Sequence, residues 1–276
     1  MAYRNLMDMH IHSDNSKDAH HSVTLICEKA VEKKLRAIAV TDHCECINYY
    51  DSNQDIICRQ AAFEVKKAQS VFNGQIIISN GVELGSPIRN LDAVDDALKN
   101  NFDFVLASVH IIKGKKKSFY NLNYDREDNK PELLIPRYLD DIIETVQWNG
   151  FDSLAHFTYP LRYYPEELLV DFDFFNYREQ IELILKTLAV NGKALEINTS
   201  GKPYLVGNKQ RTMHPYFEIV KLFKDLGGEY ITVGSDAHSA YDVGNNVSEA
   251  YDMALAAGFK YVTLYQKRTP LSIKIE

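Results

Sequence analysis

Seven short apolar runs, each followed by a longer amphipathic segment, constrain the fold of this chain more than any other feature. The runs are Leu6–His12, Ala37–Thr41, Ile76–Glu83, Phe104–His110, Ser153–Phe157, Ala194–Asn198 and Tyr230–Ser235. Most are continuously apolar rather than alternating, as strands buried on both faces are. The segments Val23–Lys34, Asp55–Phe72, Leu91–Asn100, Pro131–Asn149, Asn176–Asn191, Pro215–Leu226 and Ser248–Ala257 read as helices. In the first, Val23, Ile26, Cys27, Ala30 and Val31 share a face, and Glu28 and Glu32 point outward. Ser22 or Thr24 is placed to cap it. Pro215 suits a first helical turn, and Gly150, Gly192, Gly227 and Gly258 follow helical runs as C-terminal glycines do. Seven strand–helix repeats without a linker predict one domain over residues 1–276, a closed or nearly closed α/β barrel. Tyr261–Tyr265 is an accessory strand.

Composition narrows the class. The 276 residues are 45% hydrophobic and 25% charged, an ordinary globular balance. A net charge of −7 gives no bulk attraction for nucleic acid, so no nucleic-acid partner is expected. No apolar stretch approaches the roughly 20 residues that cross a bilayer. Met1-Ala-Tyr-Arg-Asn runs into a strand without a signal-peptide pattern, and the four cysteines are too sparse for a disulfide framework. A cytoplasmic setting follows. Cys44 and Cys46 read as loop cysteines near the strand ends, since no second pair completes a sulfur site. The run Lys113-Gly-Lys-Lys-Lys117 is either a solvated loop or, because it follows a strand, an attractor for an anionic substrate.

Six of the nine histidines end the apolar runs, and carboxylates join them: Asp8-Met-His10-Ile-His12, Thr41-Asp42-His43, Glu83, His110, His156 and Asp236-Ala-His238. A parallel barrel gathers its strand C-termini into one ring. Imidazole and carboxylate are ligands of zinc, manganese and iron. Residues two apart in a strand face the same side, so His10 and His12 are placed to chelate together. Either His-x-His or Asp-x-His alone reads equally well as a satisfied buried pair. Six such groups in one ring are costly to bury without a metal. His20, His21 and His214 lie in loops or at a helix start and read as surface or capping residues.

Asp8-Met-His-Ile-His12-Ser, Thr41-Asp-His43, the lone Glu83, Ser108-Val-His110, Ala155-His156 and Gly234-Ser-Asp-Ala-His238 resemble, in order, the motifs of the polymerase-and-histidinol-phosphatase (PHP) superfamily. The resemblance implies a distorted seven-stranded (β/α)7 TIM-like barrel holding two or three divalent ions (Zn, Mn or Fe). Carried over to this chain, one ion takes His10, His12, Glu83 and Asp236. A second shares Glu83 and takes His110 and His156. A third takes His43, His238 and Asp18, where some relatives carry His. Leu195-Glu-Ile-Asn-Thr-Ser-Gly201, Val109-His-Ile and His156-Phe-Thr-Tyr-Pro-Leu-Arg162 are most similar to the monofunctional histidinol-phosphate phosphatases.

That resemblance implies hydrolysis of a small phosphate monoester, L-histidinol phosphate, by a hydroxide held between metals. Arg162 is the candidate phosphate clamp, with Ser200, Lys202 and Arg211 as further candidates. Asp42 or His238 is a candidate for protonating the leaving group, and metal-bound water is the alternative. Tyr120, Tyr124, Tyr163 and Tyr164 are available for the rest of the substrate, without assignment. A phosphodiesterase, nuclease or protein-tyrosine phosphatase on the same barrel is the second reading. A nuclease calls for a basic groove with stacking aromatics, which is missing apart from the lysine run. A non-catalytic scaffold is the third, and such relatives lose ligands that this chain keeps. No oligomeric state is implied.

Overall fold

A ring of seven parallel strands organises the computed structural model, which describes residues 3–200, 205–206, 209–210 and 215–276. Its strands are β1 (Met7–Ile11), β2 (Ala37–Val40), β4 (Ile77–Gly85), β5 (Phe104–Ser108), β6 (Ser153–Leu154), β7 (Ala194–Asn198) and β10 (Ile231–Gly234), adjacent in that order. A short β3 (His43–Glu45) joins the edge of β4. The ring closes through the ends of its first and last strands. Ile11 bridges Ala237, Asp236 N–H donates to His10 O at 2.8 Å, and His12 N–H donates to Ala237 O at 2.9 Å. All five residues of β1, β5 and β7 are buried, as continuous apolar runs require.

Helices α1 (Val23–Glu32), α2 (Gln54–Val71), α3 (Leu91–Leu98), α4 (Pro131–Trp148), α5 (Arg178–Val190), α6 (Pro215–Asp225) and α7 (Val247–Ala256) follow the strands, one for each predicted segment. Ser22 caps α1, its Oγ accepting from Leu25 N. Gly192, Gly227 and Gly258 take the left-handed conformation after their helices, but after α4 Asn149 takes it instead, at φ 64°. Gly150 is needed because a side chain there would run into the Trp148 ring. Pro136 lies inside α4 and cannot donate to the carbonyl of Glu132; the Tyr177 hydroxyl reaches that carbonyl at 3.3 Å.

The structure departs from the sequence pattern in two places. The second run ends as a strand at Val40, close to its predicted end, and a short strand not foreseen is added after it. β2 pairs with the first half of β4, from Ala37 opposite Ile77 to Val40 opposite Asn80; the chain then turns at Thr41-Asp42, and β3 resumes with His43 opposite Glu83. Thr41 and the Val40 carbonyl crowd the space where Gly81 would carry a side chain, so the fold at this break needs glycine. The predicted accessory strand is β11 (Tyr261–Gln266), and the second departure is its partner β12 (Thr269–Lys274), a strand with no apolar pattern of its own. Strands β8 (Leu205–Val206) and β9 (Lys209–Gln210) form a separate pair.

The β11–β12 hairpin plugs the base of the barrel, opposite the ring of strand ends. Ser79 donates to Tyr265 O at 2.9 Å, the Tyr265 ring stacks on Phe104 at 5.0 Å, and its hydroxyl donates to Asp152 O. Lys267 and Arg268 form the turn, both left-handed at φ 49° and 64°. Asn-Gly or Asp-Gly is usual in such two-residue turns, and each side-chain-bearing residue forced there costs on the order of 1 kcal/mol. Arg268 compensates by pairing with Asp152 and donating to Gly150 O.

Candidate metal centre

The C-terminal ends of the strands bring nine of the predicted residues to one place. Glu83, at the end of β4, is fully buried at the middle. Its Oε1 lies 2.8 Å from His156 Nε2 and 3.1 Å from His110 Nε2. Its Oε2 lies 2.7 Å from His43 Nδ1, 3.6 Å from His10 Nε2 and 3.7 Å from His12 Nε2. The Nε2 atoms of His10 and His12 are 3.0 Å apart, so the two rings converge as the strand alternation predicts. Asp236 Oδ1 is 3.2 Å from His12 Nε2 and 3.6 Å from His10 Nε2. Asp236 sits at φ 55°, a left-handed conformation that a carboxylate side chain rarely adopts.

Among the described residues, four triplets of donor atoms are close enough to share an ion: His10–His12–Glu83, His10–His156–Asp236, His43–Glu83–His110 and His12–His43–His238. His43 belongs to two of them. Its Nδ1 faces Glu83, while its Nε2 is 3.6 Å from Asp18 Oδ1. Asp18 Oδ2 is also 3.6 Å from His238 Nε2, so this exposed carboxylate stands between the two rings. Glu83 Oε2 and His43 Nδ1 are buried 2.7 Å apart without the angles of a hydrogen bond, and His156 Nδ1 is buried without a partner. Orphaned donors and acceptors of these types, packed this closely, fit divalent ions of the zinc, manganese or iron kind.

The electrostatics follow from burial set against proximity. Burial raises the Glu83 carboxyl pKa, yet His110, His43 and His10 hold it well below the usual carboxylate range. Burial likewise works against an ionised Asp236, and His10, His12 and Arg162 outweigh it. Burial depresses His10, but Glu196, Asp236 and Glu83 hold it well above an ordinary imidazole. His12 is held well below one, by burial and by the His43 ring beside it.

Sequence pattern alone singles out neither Glu45 nor Glu196, and both are part of the centre. Glu45 Oε1 is 2.5 Å from His110 Nδ1. Glu196 Oε1 is 2.7 Å from His10 Nδ1, and its Oε2 accepts from His156 N at 2.6 Å. Each carboxylate fixes the tautomer and aim of a ring whose other nitrogen faces the ligand cluster. Glycines make room for both. A side chain at Gly85 would collide with the Glu45 carboxylate, and one at Gly234 with His10 and Glu196. In the sequence Glu45 lies two residues after His43 and Glu196 two before Asn198, spacings that become informative only once the neighbouring strands are in place.

Arg162 is in the short helix Tyr159–Arg162 after β6, with 12% of its side chain exposed. Its Nη1 donates to Asp236 Oδ2 at 2.8 Å and its Nη2 to Asn198 Oδ1 at 2.6 Å. Ser200 Oγ donates to the same two residues, at 3.0 and 3.1 Å. Lys202, Arg211 and His214 lie outside the described residues. Asp42 accepts from Ser13 N, Ser13 Oγ and Ser16 Oγ at 2.6 to 2.7 Å. His238 is 32% exposed, with Nδ1 against its own loop at Asp236 O. His20 is exposed, and His21 Nδ1 accepts from Ala240 N. Cys27, Cys44, Cys46 and Cys58 are buried free thiols. In the lysine run, Lys115 is tied back to Asp128 and Asn129, at 3.1 and 2.5 Å.

Comparison with known proteins agrees with this geometry. The PHP domain family model matches residues 8–200.

The chain belongs to the PHP domain family.

Among the relatives of this PHP protein, a histidinol-phosphatase from Lactococcus lactis subsp. lactis is 29% identical over 259 residues, 92% of this chain and 91% of that protein. A Thermotoga maritima protein named "probable histidinol-phosphatase" is 28% identical, covering 95% of this chain and 97% of its own length. A crystal structure of histidinol phosphate phosphatase from Lactococcus lactis, complexed with zinc, L-histidinol and phosphate, superposes with a TM-score of 0.77 at 27% identity. That match covers 97% of this chain and 99% of that one.

Proposed function

We propose that this protein is a metal-dependent histidinol-phosphate phosphatase, converting L-histidinol phosphate and water to L-histidinol and phosphate. The observation that carries the reading is Glu83, ringed by five imidazoles and flanked by Asp236, with Arg162 turned in beside them. The similarity to a zinc-, histidinol- and phosphate-bound structure over nearly the whole of both chains supports the choice of substrate.

The proposed ligands are His10, His12, Glu83 and Asp236 for one ion and Glu83, His110 and His156 for a second. For a third they are His43, His238 and Asp18. The related structure holds zinc, which favours that ion here, and the donor set of this chain would hold two or three. Such ions lower the pKa of water toward neutrality and set positive charge against phosphate oxygens. Glu83 offers its two oxygens to different rings, so it would help to hold both of two neighbouring ions. Glu45 and Glu196 hold His110 and His10 in the tautomers that present Nε2 to the cluster. Arg162, raised on Asp236 and Asn198, keeps a planar donor fork beside the ligands and is the proposed phosphate clamp. Ser200 stands next to it.

Of the two candidates for proton delivery, His238 is the more open, and it could serve only with the third ion absent, because its Nδ1 is taken by Asp236 O and its Nε2 is a proposed ligand. Burial pushes the Asp42 pKa up, but all three of its hydrogen bonds are accepted from Ser13 and Ser16, an arrangement that braces the loop under His43. Among the described residues no helix is long and apolar enough to cross a membrane. Buried free thiols suit a reducing cytoplasm.

A substrate panel on metal-loaded protein tests the reading. Histidinol phosphate, a phosphotyrosine peptide, AMP and a short oligonucleotide are compared by kcat/KM. Histidinol phosphate is expected to lead. Faster cleavage of the oligonucleotide would move the assignment to a phosphodiesterase, and of the peptide to a protein phosphatase.

A further inference from the structure

A cavity with Leu98 and Phe102 in its wall opens at the opposite end of the barrel. It has a volume of about 560 Å³ and is lined by Lys66 and Gln69 of α2, Asn80 of β4, Asn101, and Lys267 and Arg268 of the hairpin turn. Asp103 also lines it, but its carboxylate is spoken for by the backbone N–H groups of Asn80 and Lys267. We propose that this cavity binds a small organic anion carrying a hydroxyl beside its charged group, such as a hydroxy acid or a phosphorylated alcohol.

Three independent observations converge on that chemistry. Asn80 is 2% exposed, yet its Nδ2 and Oδ1 both lack a hydrogen-bond partner. A buried amide with an unused donor and an unused acceptor calls for a ligand offering both. Glu83 points into the barrel, so Asn80, three residues earlier in the same strand, points outward to the α2–α3 side where the cavity lies. Lys66 and Lys267 supply two positive charges with no ion pair or side-chain hydrogen bond among the described residues. Finally, Lys267 holds a left-handed conformation that asparagine or glycine fills more easily. The bonds of Arg268 account for its own place in the turn, and nothing in the plug accounts for a lysine at 267. A strained residue without a packing role points to a binding one.

Calorimetric titration of the metal-loaded protein tests this, with L-malate and glycerol 3-phosphate as probes and acetate, which has no hydroxyl, as control. Saturable binding of at least one probe is expected, with acetate at least about tenfold weaker. Lys267→Glu should weaken the probe at least about tenfold while leaving turnover without probe unchanged. Asn80→Leu should do likewise. If that buried substitution unfolds the protein, Lys66→Glu on the exposed helix face takes its place. Arg162→Ala should leave probe binding intact, because Arg162 belongs to the metal centre. No saturable binding of either probe would overturn the proposal. So would unchanged binding in Lys267→Glu, or loss in Arg162→Ala alone, which would put the probe at the metals.

Discussion

Glu196 shows how much of this centre rests on residues that touch no proposed ion. Its two oxygens hold the His10 ring and the His156 backbone together. Glu196→Gln is expected to lower metal affinity about 10- to 100-fold while the protein stays folded, because the amide has one acceptor oxygen where the N–H groups of His10 and His156 each need one. Metal content after dialysis against graded chelator reads this directly, and unchanged retention would make Glu196 a packing residue. Arg162→Ala should lower kcat/KM for a phosphate monoester at least about tenfold, since a charge-assisted contact contributes roughly 1.5–3 kcal/mol. Unaltered kinetics would leave Arg162 as a brace for Asp236. The residues these substitutions support were legible in the sequence because histidine is scarce and six of its nine positions end apolar runs. Glu45 and Glu196 were not. A glutamate in a strand carries no mark until a neighbouring strand sets a histidine nitrogen beside it.

At the level of elements, all seven barrel strands and seven helices lie where apolar periodicity put them, and the exceptions have local causes. The break between β2 and β3 turns on Gly81, whose missing side chain matters only once Thr41 is packed against it. β12 is mostly exposed and has no periodic signal, so only its partner β11 defines it as a strand. The hairpin is held to the barrel by Arg268 on Asp152. Arg268→Ala would leave a buried carboxylate with one charge partner fewer. A fully buried pair costs about 3–5 kcal/mol to break, and Arg268 is 32% exposed, so about 2–3 kcal/mol is expected. Thermal melting should fall by roughly 5 °C with kcat for the phosphate ester unchanged. A wild-type melting temperature would mean that Tyr265 and Phe104 secure the plug without the ion pair.

For the whole molecule, the candidate centre joins β1, β4 and the loops after β5, β6 and β10, so any ion held there ties together much of the ring. Stripping metal with chelator should therefore lower the melting temperature. An ion present at 1,000 times its dissociation constant stabilises the native state by about 4 kcal/mol. Calorimetry before and after adding back zinc or manganese checks this, and an unchanged melting temperature in verified metal-free protein would show that no ion bridges the strands. The barrel as a whole could be read from the order of its elements. The base cavity could not, because it exists only where α2, β4 and a turn near the C-terminus meet. Closure of the ring between its first and last strands also sets a schedule. A ribosome releases His10 and His12 long before Asp236 and His238. The cage that these residues form with Glu83 does not exist until the last strand docks against the first. Any ion that needs Asp236 would be captured only after that docking, and a nascent chain stalled before residue 236 lacks the carboxylate that completes the cage.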